Sequence, residues 1–293
     1  MPFPIILNPA ARSARAGSLE QTIRALQPAP IVHLTEGSGD AERLAFELAG
    51  QGWQGIVAAG GDGTVNEVVT GLARHNAAVA DPAKHVSLGV LPVGTMNVFA
   101  YELGIPGRNL PAAWEQINSG ARREIDLWQA NEYYFAQLAG VGLDAEIVEA
   151  TSWEMKRRYG PLSYALSAMT VLAREAPTLS VHIDGRPPLY GCIVLIGSGR
   201  HYGGPVPVFR NARNDDGLLD IVILRKVRPL EVFQFLVSIV DGDYQDREDI
   251  VYLQASSFRV ESDKRAPFEV DGELGGSSPV TFRPAPFKLK LLG

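Results

Sequence analysis

A short apolar run that leads directly into three closely spaced glycines is the feature that most constrains the fold. Residues 56–59 are apolar enough for a buried strand, and Gly60-Gly61-Asp62-Gly63 follows them without a spacer. The next apolar residues recur with helical spacing; they are Val65, Val68, Val69 and Leu72. The segment therefore predicts a strand, a tight loop and a helix, the repeating unit of a parallel α/β sheet.

The composition of this loop suits a bound phosphate. Glycines let the backbone adopt positive φ and come close to a ligand, and the free N–H groups of a helix N-terminus attract an anion. Asp62 repels phosphates unless Mg²⁺ lies between them or the carboxylate handles a proton, and we expect it to be an exposed loop acid. Thr64 and Glu67 have capping-box spacing, which predicts where the helix begins. The alternative is a tight Gly/Asp turn without a ligand.

A second segment repeats this design. Residues 86–91 form another buried apolar run, and the loop 92–97 follows it directly. Helical spacing then resumes at Met96, Phe99, Ala100 and Leu103. Two such loops at the carboxyl ends of neighbouring strands face one crevice, which is where open α/β sheets bind ligands.

The rest of the first 125 residues continues the alternation of strands and helices. Two more strands and two helices are predicted at 5–7, 31–34, 20–26 and 40–49, with Asp40 capping the second helix. We therefore predict a doubly wound α/β domain with a parallel sheet over residues 1–125, with the ligand crevice described above.

After Arg123 the pattern changes to short strands separated by turns, which is typical of an all-β sandwich. The candidate strands are 135–138, 181–183, 193–196, 219–224, 258–261, 268–270, 280–282 and 288–291. Two helical segments interrupt them, at 162–175 and 230–240. We predict an all-β sandwich domain over residues 126–293 and a substrate cleft between the two domains.

The composition is that of a globular enzyme without a general affinity for nucleic acid. Of the 293 residues, 46% are hydrophobic and 20% are charged, which is usual for folded domains. A net charge of -6 and a pI near 5.5 give no global basic field that would attract nucleic acid. No basic leader is present, and no apolar run reaches the length of a spanning helix, about 20 residues. We therefore expect a cytoplasmic protein.

Three segments together resemble the diacylglycerol kinase catalytic family. They are 60–67 (Gly-Gly-Asp-Gly-Thr-Val-Asn-Glu), 91–97 (Leu-Pro-Val-Gly-Thr-Met-Asn) and 270–273 (Val-Asp-Gly-Glu). The family includes bacterial diacylglycerol kinases, related bacterial lipid kinases, and sphingosine and ceramide kinases. The resemblance implies an NAD kinase/diacylglycerol kinase-like nucleotide-binding domain followed by a β-sandwich that holds the lipid. It also implies ATP-dependent phosphorylation of a hydroxyl of a membrane lipid such as diacylglycerol.

The resemblance further implies a nucleotide site. In similar proteins the glycine loop holds the ATP phosphates, together with an Asn-Pro turn and two threonines. The corresponding residues are Asn8, Pro9, Thr35, Gly60, Gly61, Asp62, Gly63, Thr64, Val65, Asn66 and Thr95. The chain departs from the family where Ala10-Ala11 replaces the usual Ser-Gly, and Arg12 or Arg15 is a candidate for the missing positive charge.

Two acids are implied in catalysis, Glu273 and Asp62. Glu273 matches the family's catalytic carboxylate, which accepts the proton of the lipid hydroxyl as that hydroxyl attacks the γ-phosphorus. Its neighbour Asp271 is expected to shape the loop. The alternative for this segment is a plain hairpin, in which an Asp-Gly turn joins the strands 268–270 and 280–282.

An Mg²⁺ site is implied as well. Asp62 and Asp126 match two members of a water-bridged Mg²⁺ network in the family. The third acid of that network is replaced here by Val98. Two interpretations follow from the resemblance: either two acids suffice, or the metal ion binds differently in this chain.

A structural site for Mg²⁺ or Ca²⁺ is implied in the segment 213–220. The expected ligands are the carboxylate of Asp216 and the backbone carbonyls of Arg213 and Leu218, and oxygen ligands of this kind suit either ion. The alternative is an Asp-Gly turn that leads into the strand 219–224.

Contact with the inner face of the membrane is expected to be peripheral. The basic stretch 156–158 precedes an apolar helical stripe and is a candidate for binding anionic headgroups, with a solvated surface as the alternative. The segment 230–240 is apolar nearly all round, so it either lies buried under the sandwich or touches the membrane. The loop 201–204 (His-Tyr-Gly-Gly) is a candidate lining for the acyl chains. A homodimer is left open.

Two other functions are kept as alternatives. One is an NAD kinase-like kinase with a soluble substrate, which shares the glycine loop; the segments 94–97 and 271–273 speak against it. The other is a non-catalytic ATP-binding regulatory module, suggested by Val98 in place of an acid. The retained acids Asp62, Asp126, Asp216 and Glu273 argue for an enzyme.

Overall fold

The computed structural model describes residues 3–12, 16–107, 109–150, 176–204, 206–226, 234–235, 238–239 and 247–293. Several predictions lie outside this part of the chain: Arg15, the basic stretch 156–158, the helix 162–175 and most of the segment 230–240. Among the described helices, none combines the length and the hydropathy of a transmembrane span.

The first domain is built on a predominantly parallel sheet. Its strands are β1 (Pro4–Leu7), β2 (Ile31–Leu34), β3 (Gly55–Gly60), β4 (Ser87–Pro92), β5 (Arg122–Ile125) and β18 (Leu289–Leu292). They lie in the order β2-β1-β3-β4-β18-β5, in which β5 alone is antiparallel to its neighbour. The predicted α/β domain with a parallel sheet is confirmed.

Helices cover both faces of this sheet. They are α1 (Ala16–Arg24), α2 (Asp40–Gly50), α3 (Asp62–Ala77), α4 (Val98–Glu102) and α5 (Leu110–Asn118), with 3-10 turns at Pro9–Arg12 and Pro82–Lys84. Strand β1 shows why both faces are apolar: Ile6 packs with α2 and α3, whereas Ile5 and Leu7 pack with α1 and α5. Burial on both sides explains the continuous apolar runs in the sequence.

The second domain is a sandwich of two antiparallel sheets. The first contains β6 (Trp128–Ala130), β7 (Tyr133–Phe135), β9 (Leu179–His182), β10 (Leu189–Gly191), β14 (Phe258–Ser262) and β17 (Val280–Pro284). The second contains β8 (Leu138–Gly142), β11 (Ile193–Gly197), β12 (Leu219–Leu224), β13 (Ile250–Ala255), β15 (Pro267–Val270) and β16 (Glu273–Ser277). One apolar core joins the two sheets, and α6 (Leu143–Ala150) follows β8. The predicted β-sandwich is confirmed.

The strand near residue 290 belongs to a different sheet from the one expected. The segment 288–291 is a strand as predicted, but β18 lies between β4 and β5 of the first domain rather than in the sandwich. Leu289 and Leu291 pack into the core under α2 and α3, and Leu292 packs into the core under α1 and α5. The first domain therefore includes residues from both ends of the chain, and the boundary at residue 125 does not enclose it.

The Asp-Gly hairpin also pairs differently from the expected one. Strand β15 is paired with β16, which follows the turn immediately, whereas β17 pairs with β6 and β14 in the other sheet. Glu-Leu-Gly-Gly-Ser has no apolar alternation, so β16 has no strand signal of its own. It is a strand because its backbone completes the ladder beside β15.

The two predicted helix caps are wrong, and one side chain explains both. Neither Thr64 nor Asp40 caps its own helix: α3 has Gly61 and α2 has Gly39 at the N-cap position, without a side-chain hydrogen bond. Instead, the carboxylate of Glu67 on α3 accepts hydrogen bonds from the N–H groups of Gly39 and Ala41, each at 3.0 Å. A carboxylate at the positive end of α2 is favourable, and here it comes from the neighbouring helix.

Candidate active site

The two predicted loops lie against each other at the carboxyl ends of β3 and β4, as expected. The N–H groups of Val93 and Gly94 both donate to the carbonyl of Gly60, at 3.1 and 3.2 Å. The backbones pass so closely that a Cβ built on Gly94 would lie 2.4 Å from the Cα of Gly61. Glycine is therefore required at this crossing for steric reasons.

The glycine loop opens the N-terminus of α3 toward this crevice. No side chain caps the helix, so its first N–H groups are suited to an anionic ligand. The Nδ2 of Asn8 donates to Oγ1 of Thr64 at 3.1 Å, which joins the Asn-Pro turn to the loop. A Cβ on Gly60 would lie 2.3 Å from the Cβ of Thr64, so this glycine makes room for the threonine.

Asp62 is not the exposed loop acid that the sequence predicts. It is half-buried, and its Oδ1 accepts a hydrogen bond from the N–H of Phe99 at 3.2 Å, in the first turn of α4. Burial raises the pKa of Asp62, while the N–H donors at the start of α4 lower it. The carboxylate therefore links the glycine loop to the helix that follows the second loop.

The other residues predicted to bind nucleotide lie around the same strand ends. Thr35 is buried, and its N–H donates to the carbonyl of Leu7 at 3.0 Å. Val65 is buried in the core, whereas Thr95 is exposed on the second loop. Asn66 is buried, and within the described part of the chain its Oδ1 is the buried side-chain oxygen that lacks a hydrogen-bond partner. A bound molecule or water with a donor group would satisfy it.

Glu273 approaches the glycine loop from the β-sandwich. Its Oε1 lies 3.5 Å from the position that a Cβ on Gly63 would occupy. The residue is exposed and begins β16, directly after the turn formed by Asp271 and Gly272. The fold thus brings a carboxylate of the second domain to the phosphate loop of the first, although 210 positions separate Gly63 from Glu273 in the numbering.

Asp271 shapes this turn through backbone hydrogen bonds. Its carboxylate accepts from the N–H groups of Ala136, Gln137 and Leu138 at 3.0, 3.0 and 2.9 Å. Both turn residues have positive φ, 48° at Asp271 and 87° at Gly272, as a two-residue type I′ hairpin requires. Burial, together with the nearby charge of Asp62, raises the pKa of Asp271 to about 6, although the three N–H donors act to lower it.

The carboxylate of Asp126 is paired with the ammonium group of Lys288. Its Oδ1 lies 2.8 Å from Nζ of Lys288, and its Oδ2 accepts from the N–H of Gly217 at 2.7 Å. Lys288 also donates to the carbonyl of Asp215 at 3.0 Å. The ammonium thus neutralises the acid that the resemblance assigns to a Mg²⁺ network, and the metal role of Asp126 stays a prediction.

The expected structural metal loop is folded as a tight turn. The Oδ1 of Asp216 accepts a hydrogen bond from the N–H of Leu218 at 3.0 Å. In the described part of the chain, no cluster of three or more His, Cys, Asp or Glu could hold a metal ion. The carbonyls of Arg213 and Leu218 would have to supply most of the ligands, so this site also stays a prediction.

Glu102, which ends α4, has a role that no sequence pattern predicts. Its Oε2 accepts from the N–H groups of Arg200 and His201 at 3.0 and 3.1 Å, and Nδ1 of His201 lies 2.5 Å away. The helix that follows the second loop is thereby tied to the sandwich. The partners are 98 and 99 positions away, so no local pattern marks this residue.

The comparisons with known proteins agree with this architecture. Residues 2–130 match the diacylglycerol kinase catalytic domain, and residues 137–293 match the YegS C-terminal NAD kinase beta sandwich-like domain. The chain is 33% identical over 285 residues to a diacylglycerol kinase of Bacillus subtilis (strain 168), with 95% of this chain and 91% of the relative covered. It is 30% identical over 253 residues to a diacylglycerol kinase of Staphylococcus carnosus (strain TM300), covering 85% of this chain and 80% of the relative.

The fold is also similar to that of a solved structure. A crystal structure of a diacylglycerol kinase from Bacillus anthracis str. Sterne superposes with a TM-score of 0.77 and 25% sequence identity. The superposition covers 99% of this chain and 96% of that chain, so both domains are included. With both of its domains matched and close relatives along nearly its whole length, this chain belongs to the diacylglycerol kinase catalytic family of ATP-dependent lipid kinases.

Proposed function

We propose that this protein transfers the γ-phosphate of ATP to a hydroxyl of a membrane lipid such as diacylglycerol. The observation that carries the proposal is the approach of Glu273 to Gly63, which joins an acid of the sandwich to a phosphate-binding loop. A phosphoryl transfer site needs these two parts, because the phosphates must be held and the acceptor hydroxyl must lose a proton.

The roles of the residues follow from their positions. The N–H groups at the start of α3, with Gly60 and Gly61 beside them, bind the phosphates of ATP. Glu273 accepts the proton of the lipid hydroxyl as its oxygen forms a bond to the γ-phosphorus. The bond from that phosphorus to the oxygen of the β-phosphate breaks, and ADP leaves.

Mg²⁺ is proposed to enter with ATP, and Asp62 is the residue of this chain that would hold it. Of the acids implied for a metal, Asp62 lies in the glycine loop itself, whereas Asp126 is paired with Lys288. When bound, the ion neutralises charge on the phosphates. The hydrogen bond that Asp62 accepts from the N–H of Phe99, at the start of α4, keeps its carboxylate at the loop whether or not the ion is bound.

A lipid substrate requires contact with the membrane, and the crevice has apolar groups on its rim. Met96 in the second loop and Tyr101 in the following helix α4 are 39% and 57% exposed. The ring of Tyr101 packs against His201 with centroids 4.8 Å apart, and Met96 lies beside Gly204. Val206 adds a further exposed apolar side chain to this rim. We propose that the protein is cytoplasmic and that this rim rests on the inner membrane surface.

The test is transfer of radiolabelled γ-phosphate to a fractionated total-lipid extract, with the product identified by mass. A phosphorylated lipid that disappears with Glu273→Gln is the expected result. Phosphorylation of NAD in a parallel reaction would identify the NAD kinase-like alternative. ATP binding without transfer to either acceptor would identify a regulatory module.

A further inference from the structure

Three side chains meet behind the turn that carries Glu273. The Oη of Tyr202 lies 3.0 Å from Oε1 of Glu269 and is also hydrogen-bonded to Oδ2 of Asp144. Gly140 makes this meeting possible, because a Cβ there would lie 2.1 Å from Oδ2 of Asp144 and 2.8 Å from Oη of Tyr202. Gly140 on β8 is the cross-strand partner of Glu269 on β15. The space left by the missing side chain of Gly140 therefore lies beside the buried carboxyl group of Glu269.

The number of protons in this cluster is limited. Tyr202 has one hydroxyl proton and cannot donate to both acids, so one acid must donate to Tyr202 if both contacts are hydrogen bonds. Burial and the charge of Asp144 raise the pKa of Glu269 well above its ordinary value, whereas burial raises the pKa of Asp144 to about 6. At neutral pH a protonated Glu269 therefore donates to Tyr202, and Tyr202 donates to an ionised Asp144.

Glu269 connects this cluster to the turn. Its second oxygen, Oε2, accepts a hydrogen bond from the N–H of Gly272 at 2.7 Å. That N–H belongs to the peptide between Asp271 and Gly272, directly before Glu273. Because both turn residues have positive φ, the turn needs specific partners for its backbone groups, and Glu269 supplies one of them.

Tyr202 is held in place from the opposite side. Its N–H donates to the carbonyl of Val206 at 3.0 Å, and its ring packs edge-on against Phe209 with centroids 5.9 Å apart. The preceding residue, His201, is bound to Glu102 of the first domain. The cluster therefore connects a loop that is tied to the first domain with the turn that carries Glu273.

We infer that Tyr202 and Glu269 are positioning residues that hold Glu273 against the glycine loop through the N–H of Gly272. The inference rests on the proposed role of Glu273 as the base. The hydrogen bonds of Tyr202 and Glu269 reach Glu273 only through the turn, so they act on the orientation of the carboxylate rather than on the reacting atoms. Orientation errors of about 1 Å reduce turnover by about 100-fold in well-ordered sites.

The first test uses single substitutions in the full chain. Tyr202→Phe removes only the hydroxyl, and we expect kcat to fall by about 10- to 100-fold with little change in the KM for ATP. Glu269→Leu should show the same loss. Glu269→Gln should restore most of it, because an amide can donate to Tyr202 and accept from Gly272 as a protonated carboxyl does. Equal losses in Glu269→Gln and Glu269→Leu would show that the hydrogen bond to the N–H of Gly272 does not position Glu273, and would overturn the inference.

The decisive test is a double-mutant cycle with Glu273→Gln. If Tyr202 acts through Glu273, Tyr202→Phe causes no further loss of turnover once Glu273→Gln is present. A loss of the same factor in both backgrounds would overturn the inference, because it would show a general structural effect. Wild-type turnover in Glu273→Gln alone would reject the base assignment, and the positioning inference with it.

Tyr252→Phe is a matched control. Tyr252 on the edge strand β13 donates to Asp220 on β12, a buried acid that lies three strands away from Glu269 in the same sheet. Tyr252→Phe also removes one hydroxyl that binds a buried acid, so we expect it to lower the melting temperature as Tyr202→Phe does. Unlike Tyr202→Phe, it should leave kcat at the wild-type value. A fall in kcat of equal size in the control would attribute the effect of Tyr202→Phe to stability and overturn the inference.

Discussion

Glu102 and His201 join the two domains beside the crevice through an Nδ1 to Oε2 distance of 2.5 Å. The same oxygen accepts the N–H groups of Arg200 and His201, so one carboxylate fixes the start of the loop that continues to Tyr202. The pair is largely buried, with 17% of the His201 side chain and 10% of the Glu102 side chain exposed. An acid at the end of a short helix is therefore one of the contacts that hold the two domains together.

Glu102→Ala should lower the free energy of unfolding by about 1–3 kcal/mol, because it leaves the N–H groups of Arg200 and His201 without their acceptor. Urea denaturation measures this change. Glu47→Ala is the control, since Glu47 is exposed and its ion pair with Arg43 lies within one helix. An unfolding midpoint for Glu102→Ala equal to that of the control would show that the domain contact contributes little.

Asp62 should affect both turnover and stability. Asp62→Ala should abolish transfer, and it should also lower the melting temperature, because the carboxylate accepts from the N–H of Phe99 at the start of α4. Asp62→Asn keeps an acceptor for that N–H and should recover stability without recovering turnover. Near-normal turnover in either variant would remove Asp62 from the mechanism.

Glu273→Gln should reduce the turnover number by about 10² to 10⁴ while the KM for ATP changes little, as is usual when a general base is lost. Steady-state kinetics with saturating lipid separates the two parameters. Collapse of ATP binding with turnover kept at saturation would instead make Glu273 a nucleotide ligand. Asp62 would then be the better candidate for the base.

Stability should depend on the charge of Asp144. Its pKa is raised by burial from 3.8 to about 6, so the folded protein binds its proton more tightly than the unfolded chain does. The free energy of unfolding should therefore fall as the pH rises between these values, and the destabilisation is complete above about pH 6. Urea titrations across this range should show a smaller slope for Asp144→Asn.

Asp249→Asn is the control for this pH dependence. A hydrogen bond from Arg247 lowers the pKa of Asp249, so its contribution is lost only as the pH falls below the ordinary range of an aspartate. The slope between pH 3.8 and about 6 should match that of the wild type. A slope unchanged in Asp144→Asn would show that Asp144 does not titrate there.

Binding to vesicles should be reversible, tighter with anionic lipid and weaker in high salt, because the chain has a net charge of -6 and any attraction comes from local basic groups. Sedimentation with phosphatidylglycerol-containing and phosphatidylcholine vesicles measures this. Tyr101→Ser should weaken binding to both. Tyr190 on the sandwich is 59% exposed, similar to the 57% of Tyr101, and Tyr190→Ser should not weaken vesicle binding. Equal effects of the two substitutions would exclude the proposed rim.

The sequence predicts well those features that depend on neighbouring residues. The strand before the glycine loop, the second loop of like design and the short strands of the sandwich all follow from apolar periodicity, and β2 and β12 have the predicted bounds. These features can be predicted from neighbouring residues, because the spacing of apolar residues shows both the type of element and the face that it buries.

Features that depend on distant partners could not be predicted in this way. The position of Glu67 in the sequence fits a capping box for its own helix, α3. In the structure its carboxylate instead binds the N–H groups of Gly39 and Ala41 at the start of α2, because α2 packs beside α3. Asp62 has an acceptor role only because α4 begins beside it. The cluster of Asp144, Tyr202 and Glu269 is assembled from three separate segments, and none of them carries a recognisable motif.

Strand β18 has a consequence for the order in which the protein is made. It follows the whole sandwich in the chain but lies between β4 and β5, so the nucleotide-binding sheet is divided until the sandwich has been synthesised. During translation, the first domain cannot close its sheet as an early independent unit, as many N-terminal domains do. The six-stranded sheet is therefore completed only after the last strand of the sandwich has left the ribosome.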